Sequence, residues 1–342
     1  MENKRTALYE EHVKLNGKII DFHGWDMPLQ YTRILEEHMA VRKNVGIFDV
    51  SHMGDVIVEG KEAAAFLDSK GKIIDDTIVY RISENKFFFV PNASMIDIIY
   101  NWILENKGKF DVKITNVSDD ISCIAVQGPK SEEVINELGL VFPEPFKFIE
   151  INGTFGKNKI TGSNSVIVSG TGYTGEKGVE LLIPSTNAAE IWEKALKLIG
   201  KKSGLPCGLG ARDTLRMEKG MLLSGQDFSG DRNPYESSIS FIIDMNHDFI
   251  GRNRIENKQV AQTFKGFIME ENNVIPRHGY IIYDNSENEI GIVTSGSISP
   301  VLNKGIALGY LNKNSGKNGD IVLINIRGKN HPAKISRPKM VN

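Results

Sequence analysis

The stretch EIGIVTSGSISPVLNKGIALGYL, residues 289–311, is the most informative about the fold of the C-terminal part of the chain. It contains two runs rich in β-branched and aliphatic residues, and glycine, serine, proline and asparagine separate them. Runs of this kind, bounded by turn-forming residues, predict β-strands. Four similar runs flank it, which makes six in all: FKGFIM (264–269), YIIYD (280–284), EIGIVTS (289–295), IALGYL (306–311), DIVLINI (320–326) and PAKIS (332–336). Six short strands without an intervening helix predict a small barrel or sandwich over residues 262–342.

Residues 1–261 differ from this region because predicted helices and strands alternate along them. The clearest helix is Ala188–Leu198, where apolar residues recur at helical spacing and Gly200 provides the end. Further helices are predicted at Leu29–Asn44 and Glu132–Leu138. Runs of β-forming residues predict strands at Asp55–Val58, Thr77–Ile82, Lys86–Val90, Val112–Val117 and Ile121–Val126. The alternation indicates an α+β region of two subdomains.

Composition and missing motifs exclude several classes of function. The chain has 342 residues with 41 basic and 43 acidic side chains, so its formal charge of −2 argues against nucleic acid as a partner. No apolar run is long enough to span a membrane, and the charged N-terminus does not match a secretory signal. The two cysteines, Cys123 and Cys207, lack metal-ligand spacing, and HExxH, GxSxG and CxxC do not occur. We therefore expect a cytoplasmic protein without a bound metal.

An acidic pair, Asp75–Asp76 in IIDDTIVYR, stands immediately before a predicted strand. Adjacent residues on an extended segment point to opposite faces, so only one of the two carboxylates enters a given cleft. Apolar surroundings would suit that carboxylate to proton transfer or to the stabilisation of a cation. The structural alternative is a pair that only forms a turn.

The glycine-rich segment GTGYTGEKGVE, residues 170–180, carries Tyr173 on a turn and Glu180 at the start of an apolar run. The segment has neither the GK[ST] ending of a phosphate-binding loop nor the dinucleotide fingerprint. A carboxylate that enters an apolar strand must face water or pair with a buried donor. Glu180 is therefore a candidate site residue.

Two arginines, Arg212 and Arg216 in GLGARDTLRMEKG, share one face of a predicted helix because they are four residues apart. A helix N-terminus combined with a guanidinium suits an anionic or planar polar ligand. The structural alternative is an ion-pair network with Asp213 and Glu218.

Taken in order, these segments resemble the aminomethyltransferase (T-protein) family of the glycine cleavage system. The resemblance runs over essentially the whole chain, and its motifs are long and ordered. They are LYEEHVKLNGKIIDFHGWDMPLQY, EEHMAVRKNVGIFDVSHMGDV, IIDDTIVYR, IAVQGPKS, GTGYTGEKGVE, GLGARDTLRMEKGMLLSGQD, DFIGR and VTSGSISPVLNKGIALGYL.

The resemblance implies an α+β fold of three domains in a cloverleaf. Two intertwined ferredoxin-like domains form a folate-binding region at residues 1–261, and a β-barrel follows at residues 262–342. The implied activity moves the one-carbon unit of aminomethyl-lipoyl H-protein to tetrahydrofolate and releases ammonia during glycine catabolism. Tetrahydrofolate is then a co-substrate, no metal takes part, and lipoylated H-protein is a transient partner.

The family's site residues carry over to five positions. The catalytic aspartate, which also lies in the folate site, falls on Asp76, where a carboxylate stabilises the cationic centre left as ammonia departs. Glu180 matches the glutamate that accepts two hydrogen bonds from the amino-pyrimidine edge of the pterin. Tyr173 and Arg212 match further folate-contacting residues, and Asn92 matches a residue on a strand that lines the cleft.

Several positions depart from the family pattern. The segment before Gly71 is shorter than in typical members, Gly170 replaces an arginine, and Phe241 and Met221 replace other aromatic residues. Because these changes could reshape the donor side, a tetrahydrofolate-dependent demethylase acting on a small methylated donor is the alternative function. A folate-binding protein without transfer activity and a paralogue that has lost folate binding are two further hypotheses.

Overall fold

A computed structural model of the chain describes residues 2–60, 67–108, 110–151, 153–155, 158–160, 165–255 and 260–342. The helices are α1 (Tyr9–Lys14), α2 (Ile34–Lys43), α3 (Ile96–Asn106), α4 (Ser131–Glu137), α5 (Ala188–Gly200), α6 (Leu209–Glu218) and α7 (Arg252–Ile255). The first strands are β1 (Lys18–Phe22), β2 (Trp25–Gln30), β3 (Gly46–Asp49), β4 (Val56–Gly60), β5 (Ile78–Ser83), β6 (Lys86–Val90), β7 (Val112–Asn116) and β8 (Ile121–Gln127). They are followed by β9 (Phe148–Ile151), β10 (Gly153–Phe155), β11 (Asn158–Ile160), β12 (Val166–Ser169), β13 (Gly178–Pro184) and β14 (Leu205–Pro206). The last six are β15 (Gln262–Met269), β16 (Ile281–Tyr283), β17 (Glu289–Ser299), β18 (Lys304–Asn312), β19 (Ile321–Ile326) and β20 (Lys329–Ser336).

The chain forms two compact units. The first comprises Met1–Ala63 and Thr77–Arg212, and the second comprises Ala64–Asp76 and Asp213–Asn342. The first unit holds a six-stranded sheet in the order β14-β3-β8-β13-β12-β9 and a four-stranded sheet in the order β5-β6-β4-β7. None of the helices within the described ranges is long and apolar enough to cross a membrane.

The two faces of the six-stranded sheet have different roles. Along β13, Val179, Leu181 and Ile183 join the hydrophobic core that Trp192 of α5 also enters. Because strand side chains alternate between faces, Glu180 lies on the other face. There it is the register partner of Ser169 on β12. The fold thus places a carboxylate on the face opposite the helix-packed core.

The second unit contains a closed barrel in the order β15-β18-β17-β16-β19-β20. Its interior is filled by apolar side chains, among them Phe267, Ile282, Val293 and Ile324. The prediction of six C-terminal strands is therefore confirmed, and the structure selects the barrel over the sandwich.

One predicted helix is wrong at its start. Leu29–Asn44 was expected to be helical throughout, but β2 extends through Gln30 and α2 begins only at Ile34. The buried carboxylate of Glu37 accepts hydrogen bonds from the backbone N–H groups of Tyr31 and Thr32, at 2.6 and 2.8 Å. These contacts fix a turn just before the helix. The other two helices, seen as α4 and α5, are confirmed.

Candidate active site

The Glu180 carboxylate pairs with a neighbouring hydroxyl group. Thr171 Oγ1 donates a hydrogen bond to Glu180 Oε2 at 2.6 Å. Thr171 Oγ1 also lies 2.8 Å from Ser169 Oγ. Glu180 is half-buried, so the carboxylate has a protein donor and remains reachable from one side. A carboxylate in an apolar strand must face water or pair with a donor, and the structure shows that Glu180 is paired.

A third hydroxyl, that of Tyr80 on β5, joins this group. Tyr80 is 4 % exposed, and the hydroxyl groups of Ser169 and Thr171 act to lower the pKa of its phenol. Burial, and then the negative charge of Glu180, raise the pKa of the Tyr80 phenol, so it stays protonated at neutral pH. No motif in the sequence pointed to Tyr80, Ser169 or Thr171. The only available signal was that hydroxyl residues lie two residues apart at 169 and 171, just before the turn that carries Tyr173.

Arg212 and Tyr173, which were both expected in the site, lie against each other. The guanidinium carbon of Arg212 is 4.7 Å from the centroid of the Tyr173 ring, a cation–π arrangement. Arg212 lies in the first part of α6, and Tyr173 lies on the glycine-rich turn between β12 and β13. This contact fixes a cation and an aromatic face side by side in the first unit.

Three buried titratable groups belong to the same electrostatic environment. Burial, followed by the positive charge of Arg212, lowers the pKa of His52 to about 4. Burial raises the pKa of Asp55 well above its usual value. Burial also raises the pKa of the Cys123 thiol, with further contributions from the charges of Glu180 and Asp55. Among the described residues, neither His52 Nδ1 nor Asp55 Oδ1 has a hydrogen-bond partner. Burial thus has the largest effect on all three pKa values, and the charges of both Arg212 and Glu180 act on Cys123.

The other predicted site residues are placed as follows. Asn92 is half-buried in the first unit, and its backbone oxygen accepts a hydrogen bond from Met95 at the start of a 3-10 turn. Asp75 is 5 % exposed, whereas Asp76 is half-buried, as expected for adjacent residues on an extended segment. Both aspartates belong to the second unit. That Asp76 shares a site with Glu180 stays a prediction.

Arg216 has a different role from Arg212. Its side chain is 1 % exposed and forms ion pairs with Asp213 at 2.9 Å and with Asp227 at 2.8 Å. The ion-pair alternative is therefore confirmed for Arg216 with Asp213. Glu218, the other expected member of that network, accepts a hydrogen bond from Ser299 on β17.

Comparison with known proteins assigns both parts of the chain to one class of transferase. The model of the GCVT N-terminal domain matches residues 8–70 and 67–247, and the model of the glycine cleavage T-protein C-terminal barrel domain matches residues 263–342. The chain is thus an enzyme that acts on one-carbon units, as the sequence predicted.

Relatives and a solved structure define the family more closely. The chain is 41 % identical to an aminomethyltransferase of Thermotoga maritima, over 93 % of this chain and 92 % of that protein. It is 39 % identical to an aminomethyltransferase of Staphylococcus carnosus, over 99 % and 98 % of the two chains. A crystal structure of glycine cleavage system aminomethyltransferase T from Bartonella henselae superposes with a TM-score of 0.88 at 27 % identity, over 99 % and 98 % of the chains. The chain belongs to the glycine cleavage T-protein family, and its activity is that of an aminomethyltransferase.

The predicted family and the predicted fold class, mixed α and β with a C-terminal barrel, are confirmed. The demethylase alternative is not favoured.

Proposed function

We propose that this aminomethyltransferase takes the one-carbon unit from aminomethyl-lipoyl H-protein and uses tetrahydrofolate as the acceptor, with release of ammonia. One observation carries the proposal: Thr171 holds the half-buried Glu180, and the charge of Glu180 acts on the same buried thiol, Cys123, as that of Arg212, which lies against Tyr173. A carboxylate in such surroundings requires hydrogen-bond donors.

The residues present fit a reduced pterin. The amino-pyrimidine edge of a pterin carries neighbouring N–H donors, and an ionised carboxylate accepts up to about four hydrogen bonds. Among the residues that the structure describes, Thr171 is the one donor to Glu180, so its other acceptor positions suit a ligand. The Tyr173 ring offers an apolar face beside the planar guanidinium of Arg212, and both suit a flat ring system. We propose Asn92 as a further polar residue of the same site.

We propose the roles of the individual residues from their charges. Tetrahydrofolate supplies, when bound, two amine nitrogens that receive the carbon, while the lipoyl sulfur returns as a thiol and the amino group leaves as ammonia. Asp76 holds a negative charge beside the reacting carbon and stabilises the positive charge that grows as ammonia departs. Glu180 and Tyr173 orient the acceptor, which converts the transfer into a step between positioned groups.

Buried thiols support the cytoplasm as the proposed location. Cys123 and Cys207 are both free and buried. Free cysteines without a disulfide partner are typical of reducing compartments.

The test of the proposed chemistry is Asp76→Asn, which removes the charge and keeps the shape. We expect turnover of aminomethyl-lipoyl H-protein to fall by roughly 100- to 1,000-fold, because a preorganised charge at the reacting centre is lost. Tetrahydrofolate affinity, measured by calorimetry, stays near that of the unmodified enzyme. Asp97→Asn, at an exposed aspartate of α3, is the control and keeps both values. Unchanged turnover in Asp76→Asn would remove Asp76 from its proposed role.

A second assay distinguishes the donor. Ammonia release from loaded H-protein, together with formation of methylenetetrahydrofolate, is the expected result. If ammonia were absent and a small methylated compound instead gave methyltetrahydrofolate, the proposed donor would be wrong.

A further inference from the structure

The hydroxyl groups of Ser169 and Thr171, beside Glu180, have a fixed direction of hydrogen bonding. A hydroxyl carries one proton, and Thr171 uses its proton to donate to Glu180 Oε2. In the 2.8 Å contact between Ser169 and Thr171, Ser169 must then be the donor. Both donors therefore run towards the carboxylate.

These hydroxyls lie next to each other in the first unit. Ser169 ends β12 of the six-stranded sheet, and Thr171 lies in the loop that follows. Ser169 is also the register partner of Glu180, so the backbone holds the two residues side by side. A hydrogen bond to an ionised acceptor is stronger than one between neutral groups, and consecutive bonds reinforce one another. The carboxylate is thus anchored by the loop that follows the neighbouring strand.

We infer that Thr171 is a positioning residue that fixes the orientation of the Glu180 carboxylate for its ligand. The inference rests on the proposed function, in which Glu180 accepts hydrogen bonds from tetrahydrofolate. With Oε2 held by Thr171, the plane of the carboxylate is set and its remaining acceptor positions are presented together. Such a site selects a planar ring with neighbouring N–H donors and rejects a ring that presents acceptors at the same edge, because acceptors would then face each other.

The test is the pair Thr171→Val and Thr171→Ser. Valine keeps the branched shape but removes the donor, and serine restores the hydroxyl. We expect Thr171→Val to raise the KM for tetrahydrofolate roughly 10- to 100-fold, the effect of losing a hydrogen bond to a charged group. The kcat for loaded H-protein changes little, since Thr171 does not contact the reacting carbon. Thr171→Ser returns the KM to near its original value. An unchanged KM in Thr171→Val overturns the inference.

A matched control separates positioning from general support of the loop. Thr174 lies in the same glycine-rich segment, is buried, and donates to Gln127 Oε1 at 2.8 Å rather than to Glu180. Thr174→Val is expected to lower stability without the rise in KM. An equal rise in KM in both valine variants would assign Thr171 to loop support and overturn the inference.

Glu180→Gln distinguishes failure of this inference from failure of the proposed site. If Glu180→Gln leaves tetrahydrofolate binding unchanged, the proposed site is wrong. If Glu180→Gln weakens binding and Thr171→Val does not, only the positioning role is lost. Should Thr171→Val fail to fold, Ser169→Ala instead removes the hydroxyl that donates to Thr171. We expect it to raise the KM by a smaller factor, and no rise would overturn the inference.

Discussion

Two charged centres, Arg216 in the second unit and Glu180 in the first, differ in how completely they are paired. The Arg216 guanidinium contacts Asp213, Asp227, the backbone oxygen of Met221 and the hydroxyl of Ser295. Asp227 in turn accepts hydrogen bonds from Ser295 and from the backbone N–H of Leu223. This centre is buried, and its partners all belong to the protein.

The centre at Glu180 is different. Glu180 is only half-buried, and its carboxylate has one hydrogen-bond donor, Thr171, among the described residues. A closed network of charges stabilises the fold, whereas a partly exposed carboxylate with acceptor positions left over is a place where a ligand is expected.

The largest expected effect concerns the ion pairs of Arg216. Asp227→Ala leaves Arg216 without its buried counter-charge, and we expect a loss of about 3 to 5 kcal/mol in the free energy of unfolding. Asp213 is the other partner of this guanidinium, and its side chain is 42 % exposed. Asp213→Ala should therefore cost at most about 1 kcal/mol in the free energy of unfolding. Urea unfolding measures both variants. Equal losses would contradict the distinction between the two partners.

The next prediction concerns His52, which the folded state keeps neutral. Its pKa is lowered to about 4 by burial and then by Arg212, while an unfolded histidine titrates near 6.5. Between these values the unfolded state binds the extra proton. The contribution of His52 to the free energy of unfolding is therefore complete above about pH 6.5 and is lost as the pH falls towards 4. The loss from this residue is on the order of 3 kcal/mol.

Unfolding measured from pH 7 to pH 4 tests this expectation. His52→Gln removes the titrating group and should reduce the loss of unfolding free energy between pH 7 and pH 4 by that amount. His247→Gln is the control, because the His247 side chain is 77 % exposed, and it should keep the slope of the original protein. If His52→Gln and the original protein lost stability in parallel, the neutral buried histidine would be disproved.

The smallest effect lies at Gly170, next to the hydroxyl groups. A Cβ at Gly170 would come within 2.2 Å of the backbone oxygen of Glu144. Backbone hydrogen bonds from Gly170 to Lys147 and from Phe146 to Gly170 hold the two segments together. Gly170→Ala should therefore cost about 1 to 3 kcal/mol through crowding.

Gly200, the last residue of α5, provides the comparison. A Cβ there meets no atom within 4 Å, so Gly200→Ala should be neutral or stabilise by about 0.5 to 1 kcal/mol. Thermal unfolding of the two alanine variants measures the difference. A Gly170→Ala protein as stable as the original would mean that the segment at Glu144 moves away freely.

The helices and strands that could be predicted are those specified by residues close together in the chain. The six barrel strands and helix α5 follow from residue spacing and from glycine at their ends. The start of α2 could not be predicted in the same way, because a buried contact from Glu37 to the backbone of Tyr31 and Thr32 sets it. Local pattern specifies that a helix exists better than it specifies where the helix begins.

The sequence alone determined the strand pattern of the barrel, the kinds of side chain available for chemistry and the family of the protein. Tertiary contacts set which of two arginines four residues apart forms a buried ion-pair network and which lies against Tyr173. They also bring Ser169 and Thr171 to Glu180. The reason is physical: periodicity and turn chemistry depend on neighbours in the chain, whereas the partner of a side chain depends on the register between strands far apart in it.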